Sequence, residues 1–314
     1  MELQTALDSA KAYREGLASA IICSVWWGIM PIYWQWLRPI DSSVIIFYRI
    51  LLVAVVCLIA ALFKYSIKEI IKPLGEKKLM LKYIAAGILI TANWSIYIWA
   101  VNADYVIQTC IGYYIEPLMV CIFGVLLFKE KLTAYKKIAL GFAAAGVTVI
   151  ILYFRQIPLI ALSLAVTFSI YAALKKNLNK PPILSLLYET IFLAPFALAM
   201  IVYIEATGQG AMASLGDGEI YKYGLLMLCG LFTAFPLGMF ANAANKINLF
   251  ALGLTEYISP TISLFISIYL FKEPFDSIQL VAFAIIWVGL VFFSYGEYRN
   301  VKKRNMEKEE TRLE

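Results

Sequence analysis

Four charged residues stand inside long apolar runs: Arg49, Glu116, Glu189 and Glu256. A charge at the centre of a bilayer costs about 2.5–3.5 kcal/mol on insertion scales, so each needs a partner or a use. Arg49 could bind a carboxylate or another polar group, and Glu116 and Glu256 could exchange a proton. The plainer reading is a fixed ion pair, with Arg49 and Glu116 at similar depth, or snorkelling near an interface. Glu189 fits that structural role best. Glu116 directly precedes Pro117, and a proline frees a backbone carbonyl and can kink a helix, so Pro117 and its counterpart Pro260 are candidate helix breaks or gates.

Asn93, Asn102, Asn242 and Asn245 are further candidates for buried polar groups. Trp94, Trp99, Tyr97, Tyr113, Tyr114 and Tyr257 supply aromatic surface near them. An apolar, aromatic-lined cavity with a few polar groups suits an amphipathic organic molecule. Trp34, Trp36 and Tyr153 read instead as interface anchors, and Trp26, Trp27 and Trp94 as weaker interior candidates. The 314 residues include no histidine, which excludes imidazole metal sites, Ser-His-Asp and Cys-His catalysis and histidine relays. Cys23, Cys57, Cys110, Cys121 and Cys229 are scattered through apolar runs, as small buried side chains rather than a disulfide framework or zinc site. No phosphate loop and no carboxylate cage appears, so the expectation is no enzyme, no cofactor and no metal.

The elements that must position these groups are membrane helices. Hydrophobic residues make up 62% of the chain and charged ones 15%, and the mean hydropathy is +0.77, well beyond an ordinary soluble domain. Ten spans are expected, at 16–37, 41–63, 79–101, 104–127, 134–153, 157–175, 183–204, 221–244, 248–271 and 275–296. Residues 1–15 and 297–314 form polar or charged tails. The first apolar segment has no small-residue cleavage site and reads as a first span, not a signal peptide. With the N-terminus inside, 22 of the 27 Lys and Arg residues fall in inside loops and tails, 4 fall outside, and Arg49 lies within a span. Both termini are therefore expected in the cytoplasm. The net charge of +6 is spread between apolar runs, so it marks topology and not nucleic-acid binding.

A shift of 143 residues aligns the two halves of the chain without a gap from the third span to the fifth. Gly87 meets Gly230, Asn102 meets Asn245, Tyr114-Ile115 meets Tyr257-Ile258 and Pro117 meets Pro260. Leu127-Phe128-Lys129-Glu130 meets Leu270-Phe271-Lys272-Glu273, and Gly146 meets Gly289. Two five-span units result, 16–153 and 157–296. Five is odd, so the second unit enters the membrane in the opposite sense. Two inverted repeats meeting at the midplane are the architecture of secondary transporters. A duplicated membrane scaffold or sensing partner that moves nothing is the alternative.

Several motifs resemble the RarD-like branch of the EamA transporters, in the drug/metabolite transporter superfamily. They are Trp26-Trp27-Gly28-Ile29-Met30-Pro31-Ile32-Tyr33-Trp34, Tyr48-Arg49, Asn93-Trp94 with Tyr97-Ile98-Trp99-Ala100-Val101-Asn102, Gly112-Tyr113-Tyr114-Ile115-Glu116-Pro117-Leu118, and Tyr257-Ile258-Ser259-Pro260-Thr261. The resemblance covers nearly the whole chain, in order. It implies an all-α bundle of ten transmembrane helices as two inverted five-helix repeats, in a bacterial plasma (inner) membrane. The implied activity is a permease, expected to export a small solute such as an amino acid, a metabolite or a phenicol-type drug. Expected substrate-binding residues are Arg49, Asn93, Trp94, Asn102, Tyr114, Glu116, Asn242, Asn245 and Tyr257. Expected partners are that solute, the lipid bilayer and a coupling proton carried by Glu116 and Glu256. The family commonly holds asparagine where this chain has Glu116, a departure that could add proton coupling or a preference for cations.

Overall fold

The computed structural model describes residues 2–102, 106–155, 159–178, 180–216, 218–272 and 277–313, and all regular structure among them is helical. The order is α1 (Glu2–Trp36), α2 (Ser42–Lys64), α3 (Ile67–Ile71) with a 3₁₀ turn at Lys72–Gly75, α4 (Lys77–Asn102), α5 (Val106–Phe128), α6 (Ala134–Phe154) and α7 (Leu159–Leu178). Then follow α8 (Pro182–Thr190), α9 (Ala194–Ala206), α10 (Tyr221–Met227), α11 (Cys229–Lys246), α12 (Leu249–Glu256), α13 (Ile258–Tyr269) and α14 (Ser277–Leu313).

Local chemistry sets the ends. Asp41 caps α2 by accepting from the Ser43 N–H, and Asn248 caps α12 by accepting from that of Ala251, each at 2.7 Å. Glu130, from the turn after α5, accepts from the N–H groups of Leu249 and Phe250 at 2.7 and 2.8 Å, which neutralises the first turn of α12. Lys129 and Lys272, matched by the 143-residue shift, both turn the chain with positive φ, 52° and 55°.

Among the described residues, seven stretches are long and apolar enough to cross a membrane, with α10–α11 and α12–α13 each counted as one, and eight when α8 and α9, bent by 55° at their junction, count as one span. Shorter apolar helices, Gly112–Phe128 and Leu280–Gly296, add two further candidates of less than full length. The 23 residues of α2 span about 35 Å at 1.5 Å per residue, enough for a hydrocarbon core of about 30 Å. Only 33–50% of each candidate window is buried in the protein, so the outward faces carry residues such as Phe63, Leu126, Leu152 and Val202 to the lipid.

Several expected boundaries shift. Helix α1 begins at Glu2 and α14 runs to Leu313, so both polar tails continue as helix. The seventh expected span breaks between Thr190 and Ala194, where Pro195 starts a new helix, and the ninth breaks at Tyr257.

Helix α1 packs on α11, α12 and α13, while α7 packs on α4 and α5; α2 lies against α8, α9 and α11, α4 against α8, α5 against α12, and α6 against α14. Exchanging the two halves turns this set of pairs into itself. At the α6–α14 contact, a Cβ on Gly146 would lie 2.8 Å from the Ala282 carbonyl oxygen, and one on Gly289 3.0 Å from that of Ala139. Ala139 and Ala282 are themselves 143 residues apart, so the contact is reciprocal. Small residues permit such backbone approach between helices in lipid.

Candidate solute site and its buried charges

Helix α2 carries a single charge in its apolar body, Arg49. Its neighbour Tyr48 is buried, donates from its hydroxyl to Glu205 Oε1 at 2.7 Å and meets the Tyr223 hydroxyl at 3.2 Å, which fixes the rotation of α2. One residue on, about 100° round the helix, the half-buried Arg49 reaches residues of three helices, Trp34 of α1, Trp94 of α4 and Thr233 of α11. Arg49 Nε donates to Thr233 Oγ1 at 3.0 Å. The guanidinium lies over the rings of Trp94, 3.8 Å from the centroid, and Trp34, 5.0 Å from it. Tyr33, Tyr97, Tyr113 and Cys229 are within electrostatic range.

Cation–π contact contributes about 0.5–2 kcal/mol depending on desolvation, but it leaves the positive charge in place. Among the described residues the ion pairs are Lys175–Glu189, Lys222–Glu219 and Lys246–Glu15. Arg49 is in none of them, and the expected Arg49–Glu116 pair does not form. A guanidinium has five N–H donors, and among the described residues only the Nε one has a hydrogen-bond partner. The arrangement offers a fork of donors between aromatic walls to a ligand carboxylate or similar acceptor.

A second group surrounds the seam between α5 and α12. Glu256 is the last residue of α12 and is 4% exposed, and neither of its carboxyl oxygens has a hydrogen-bond partner among the described residues. Glu116 on α5 is half-buried and acts electrostatically on Glu256. Tyr257, fully buried, donates to the Tyr114 carbonyl at 3.1 Å. Pro117 sits inside an unbroken α5, whereas the corresponding helix is interrupted at Tyr257, three residues before Pro260. Proline lacks the N–H that would bond the carbonyl four residues back, that of Tyr113 in one half and of Glu256 in the other.

The asparagines tie helices together. Asn93 Nδ2 donates to the Leu164 carbonyl at 2.8 Å and Thr167 Oγ1 at 3.0 Å, joining α4 to α7. Asn242 Nδ2 donates to Ser19 Oγ at 2.7 Å, joining α11 to α1, the corresponding helix pair in the other half, although the two asparagines are not at matched positions. Asn245 Nδ2 reaches the Lys180 carbonyl at 3.0 Å. The side chain of Asn102 and those of Cys110 and Glu273 lie outside the described residues.

Glu189 is ion-paired as expected, with a partner that the sequence did not suggest. Lys175 Nζ meets its Oε1 at 2.5 Å, both side chains are 1% exposed, and Ser185 and Tyr171 complete the network. Lys175 falls among basic residues that read as cytoplasmic surface, but Cα–Cβ direction turns it inward at the end of α7. Trp34 is the other missed residue: it reads as a belt anchor, and its ring lies beside Arg49 of α2 where α1 packs on α11. The cysteines described, Cys23, Cys57, Cys121 and Cys229, are free and buried.

Against known proteins, the EamA-like transporter family matches residues 14–152 and again 156–295. A Bacillus subtilis (strain 168) protein named "Uncharacterized transporter YojE" is 33% identical over 289 residues, covering 91% of this chain and 95% of that protein. Protein RarD of Streptomyces exfoliatus is 32% identical, covering 92% and 91%, and Protein RarD of Escherichia coli (strain K12) is 29% identical, covering 90% and 95%. A crystal structure at 13% identity superposes with a TM-score of 0.66 over 88% of this chain and 96% of its own, which extends the likeness to the fold. With both halves matched and relatives similar over nearly their whole length, the chain belongs to the EamA-like transporter family, as a RarD-like, multi-pass membrane transporter and not an enzyme.

Proposed function

We propose that the protein is a secondary transporter that moves a small amphipathic organic solute bearing a carboxylate or comparable acceptor, by alternating access between two inverted five-helix repeats. The observation that carries this reading is Arg49: a guanidinium within a membrane span, over the rings of Trp94 and Trp34, with no carboxylate paired with it among the described residues. A scaffold has no use for an un-neutralised cation at that depth, whereas a solute can bring the missing charge and leave with it.

Two matches to one family, the exchange symmetry of the helix contacts and the reciprocal Gly146–Gly289 packing support the repeat. An odd number of spans per repeat supplies the inversion, with ten spans and both termini on the cytoplasmic side of a bacterial inner membrane. The reading takes export as the direction. Trp94, Tyr97 and Tyr113 would form the apolar wall of the solute site. Asn93, Asn242 and Asn245 would hold the helices that carry it.

The test is a thermal-shift screen of the purified protein against amino acids, their amides, amines, nucleosides and chloramphenicol, since a bound ligand raises apparent stability by mass action. Carboxylate-bearing amphiphiles are expected to raise Tm in the wild type and not in Arg49→Gln. Equal shifts in both proteins would remove Arg49 from the site. Cysteines placed at Asn102 and Asn245 and labelled from opposite sides test alternation: reactivity that a ligand cannot change would favour the scaffold.

A further inference from the structure

We propose that Glu256 and Glu116 together form a proton-binding site at the seam between the two halves, holding one exchangeable proton between two carboxyl groups. Its use in coupling rests on the transporter reading above; the presence of the proton does not.

The argument begins with packing. Gly253 brings α12 so close to α5 that a Cβ there would lie 2.8 Å from the Pro117 carbonyl oxygen and 2.9 Å from Cys121 N. Glu256 follows Gly253 by less than one turn, and Glu116 directly precedes Pro117, so the two carboxyl groups are carried to the same seam. Glu116 acts electrostatically on Glu256 there. Both oxygens of Glu256 are buried and without a partner among the described residues, although nearly all buried polar atoms in proteins find one. An ionised carboxylate left so is among the costliest groups to bury, and a proton removes its charge.

Every element packed on α12 was a possible source of a counter-ion. From α1, Cys23 is the ionisable group in range, and from α5, Cys121 and Glu116. The Cys121 thiol donates to the Phe250 carbonyl, and Tyr257, at the junction with α13, donates to Tyr114. On α7, Lys175 and Tyr171 are held by Glu189, and Lys176 donates to the Ile247 carbonyl. On α11, Cys229 lies near Arg49 and Lys246 pairs with Glu15. Helix α13 has no charged residue. At the opposite end of α12, Lys136 of α6 lies over the ring of Phe250, six residues before Glu256, and Glu130 holds the first N–H groups. At the Glu256 end the group that acts on it from α5 is Glu116, and two carboxylates at one site are accommodated when one carries a proton.

A metal ion is a poorer occupant, because the described residues hold no cluster of three or more His, Cys, Asp or Glu side chains. Proton movement here is a simple exchange: an O–H bond at one carboxyl breaks as the other forms, and total charge is conserved. Glu256 is sealed whereas Glu116 is half-buried, so Glu116 is the group through which the proton enters and leaves.

Infrared spectroscopy of the purified protein in lipid at pH 7, in H₂O and D₂O, tests the site without any solute. The wild type should show a protonated-carboxyl band that shifts in D₂O, and Glu256→Gln should lose it. As a second measurement, dicyclohexylcarbodiimide, which reacts with protonated carboxyls in apolar surroundings, should label Glu256 or Glu116 of the wild type, as read by mass spectrometry. No exchangeable band together with no adduct on either residue would overturn the proposal, as would a band that persists in the Glu116→Gln/Glu256→Gln double variant. A failed solute screen would leave these readouts untouched, so the two readings fail separately.

Discussion

The hydroxyl of Tyr257 donates to the backbone carbonyl of Tyr114 at 3.1 Å, across a separation of 143 residues, the same offset that aligns the two halves of the chain. Residues at equal positions in two copies of a unit touch only where an axis relating the copies passes between them. The pair therefore marks the pseudo-twofold axis of the helix contacts, one residue from Glu256 and two from Glu116. The bond is one-sided: the Tyr257 hydroxyl donates to the Tyr114 main chain, so the local symmetry is broken at the position where the two carboxyl groups sit.

Tyr257→Phe keeps the ring and removes that bond between the α12–α13 junction and α5. A loss of about 0.5–1.5 kcal/mol is expected, the usual net contribution of one hydrogen bond. Thermal or denaturant unfolding in detergent measures it, and an unchanged stability would mean that the bond is not formed in the membrane protein.

Gly146 and Gly289 should respond alike. A methyl group at either position meets a backbone carbonyl oxygen at 2.8 or 3.0 Å, and backbone cannot step aside as a flexible side chain can. Gly146→Ala and Gly289→Ala are each expected to destabilise by about 1–3 kcal/mol, in the range of overpacking. Comparable falls in Tm would support the reciprocal contact; an effect in only one variant would contradict it.

The fate of these predictions depends on how the sequence encodes the fold. The repeat could be proposed because Asn, Pro and Gly matches in one register are rare among membrane helices, and the four embedded charges stood out because nothing else in the interiors of their spans is charged. The breaks at Tyr257 and between Thr190 and Ala194 were not, since Pro117 occupies the equivalent place in α5 without breaking it. The partners of Arg49 and Glu189 were hidden for another reason. Trp34 and Lys175 sit near helix ends, where an anchor or a surface charge has the same local pattern as a residue turned inward by tertiary packing.

The Lys175–Glu189 pair tests that last point. Lys175→Met leaves a carboxylate at 1% exposure without its cation and should cost about 3–5 kcal/mol. Adding Glu189→Leu removes the orphaned charge and should recover much of the loss. A double-mutant cycle by unfolding separates the two: simple additivity would mean that the pair is not coupled.

Outside the spans, the short α3 carries a pH-dependent cap. The Ser66 backbone N–H and hydroxyl both donate to Glu69 Oε2 at 2.8 Å and hold the Glu69 carboxyl below its ordinary 4.5. A carboxyl depressed in the folded state contributes stability above its unfolded value, and that contribution is lost as pH falls through the folded value. Ser66→Ala removes the hydroxyl bond and should move the Glu69 titration back toward 4.5, as followed by NMR of its side-chain carboxyl carbon. A titration unchanged by the substitution would mean that the capping box is not closed.

Arg49→Lys distinguishes a solute-binding guanidinium from a mere positive charge. Lysine keeps the charge but has a compact ammonium that cannot lie flat on Trp94 while offering two parallel donors outward. If Arg49 only balanced the local potential, Lys would serve. If it receives a carboxylate through its fork, losing one charge-assisted bond of about 1.5–3 kcal/mol should weaken binding roughly 10- to 100-fold, with little change in unfolding. Titration of tryptophan fluorescence with phenylalanine, and with phenylalaninamide as its carboxylate-free control, reads the effect beside Trp34 and Trp94. Wild-type affinity for phenylalanine in the lysine variant would show that charge alone suffices, whereas equal affinity of the wild-type protein for acid and amide would show that Arg49 does not receive the carboxylate.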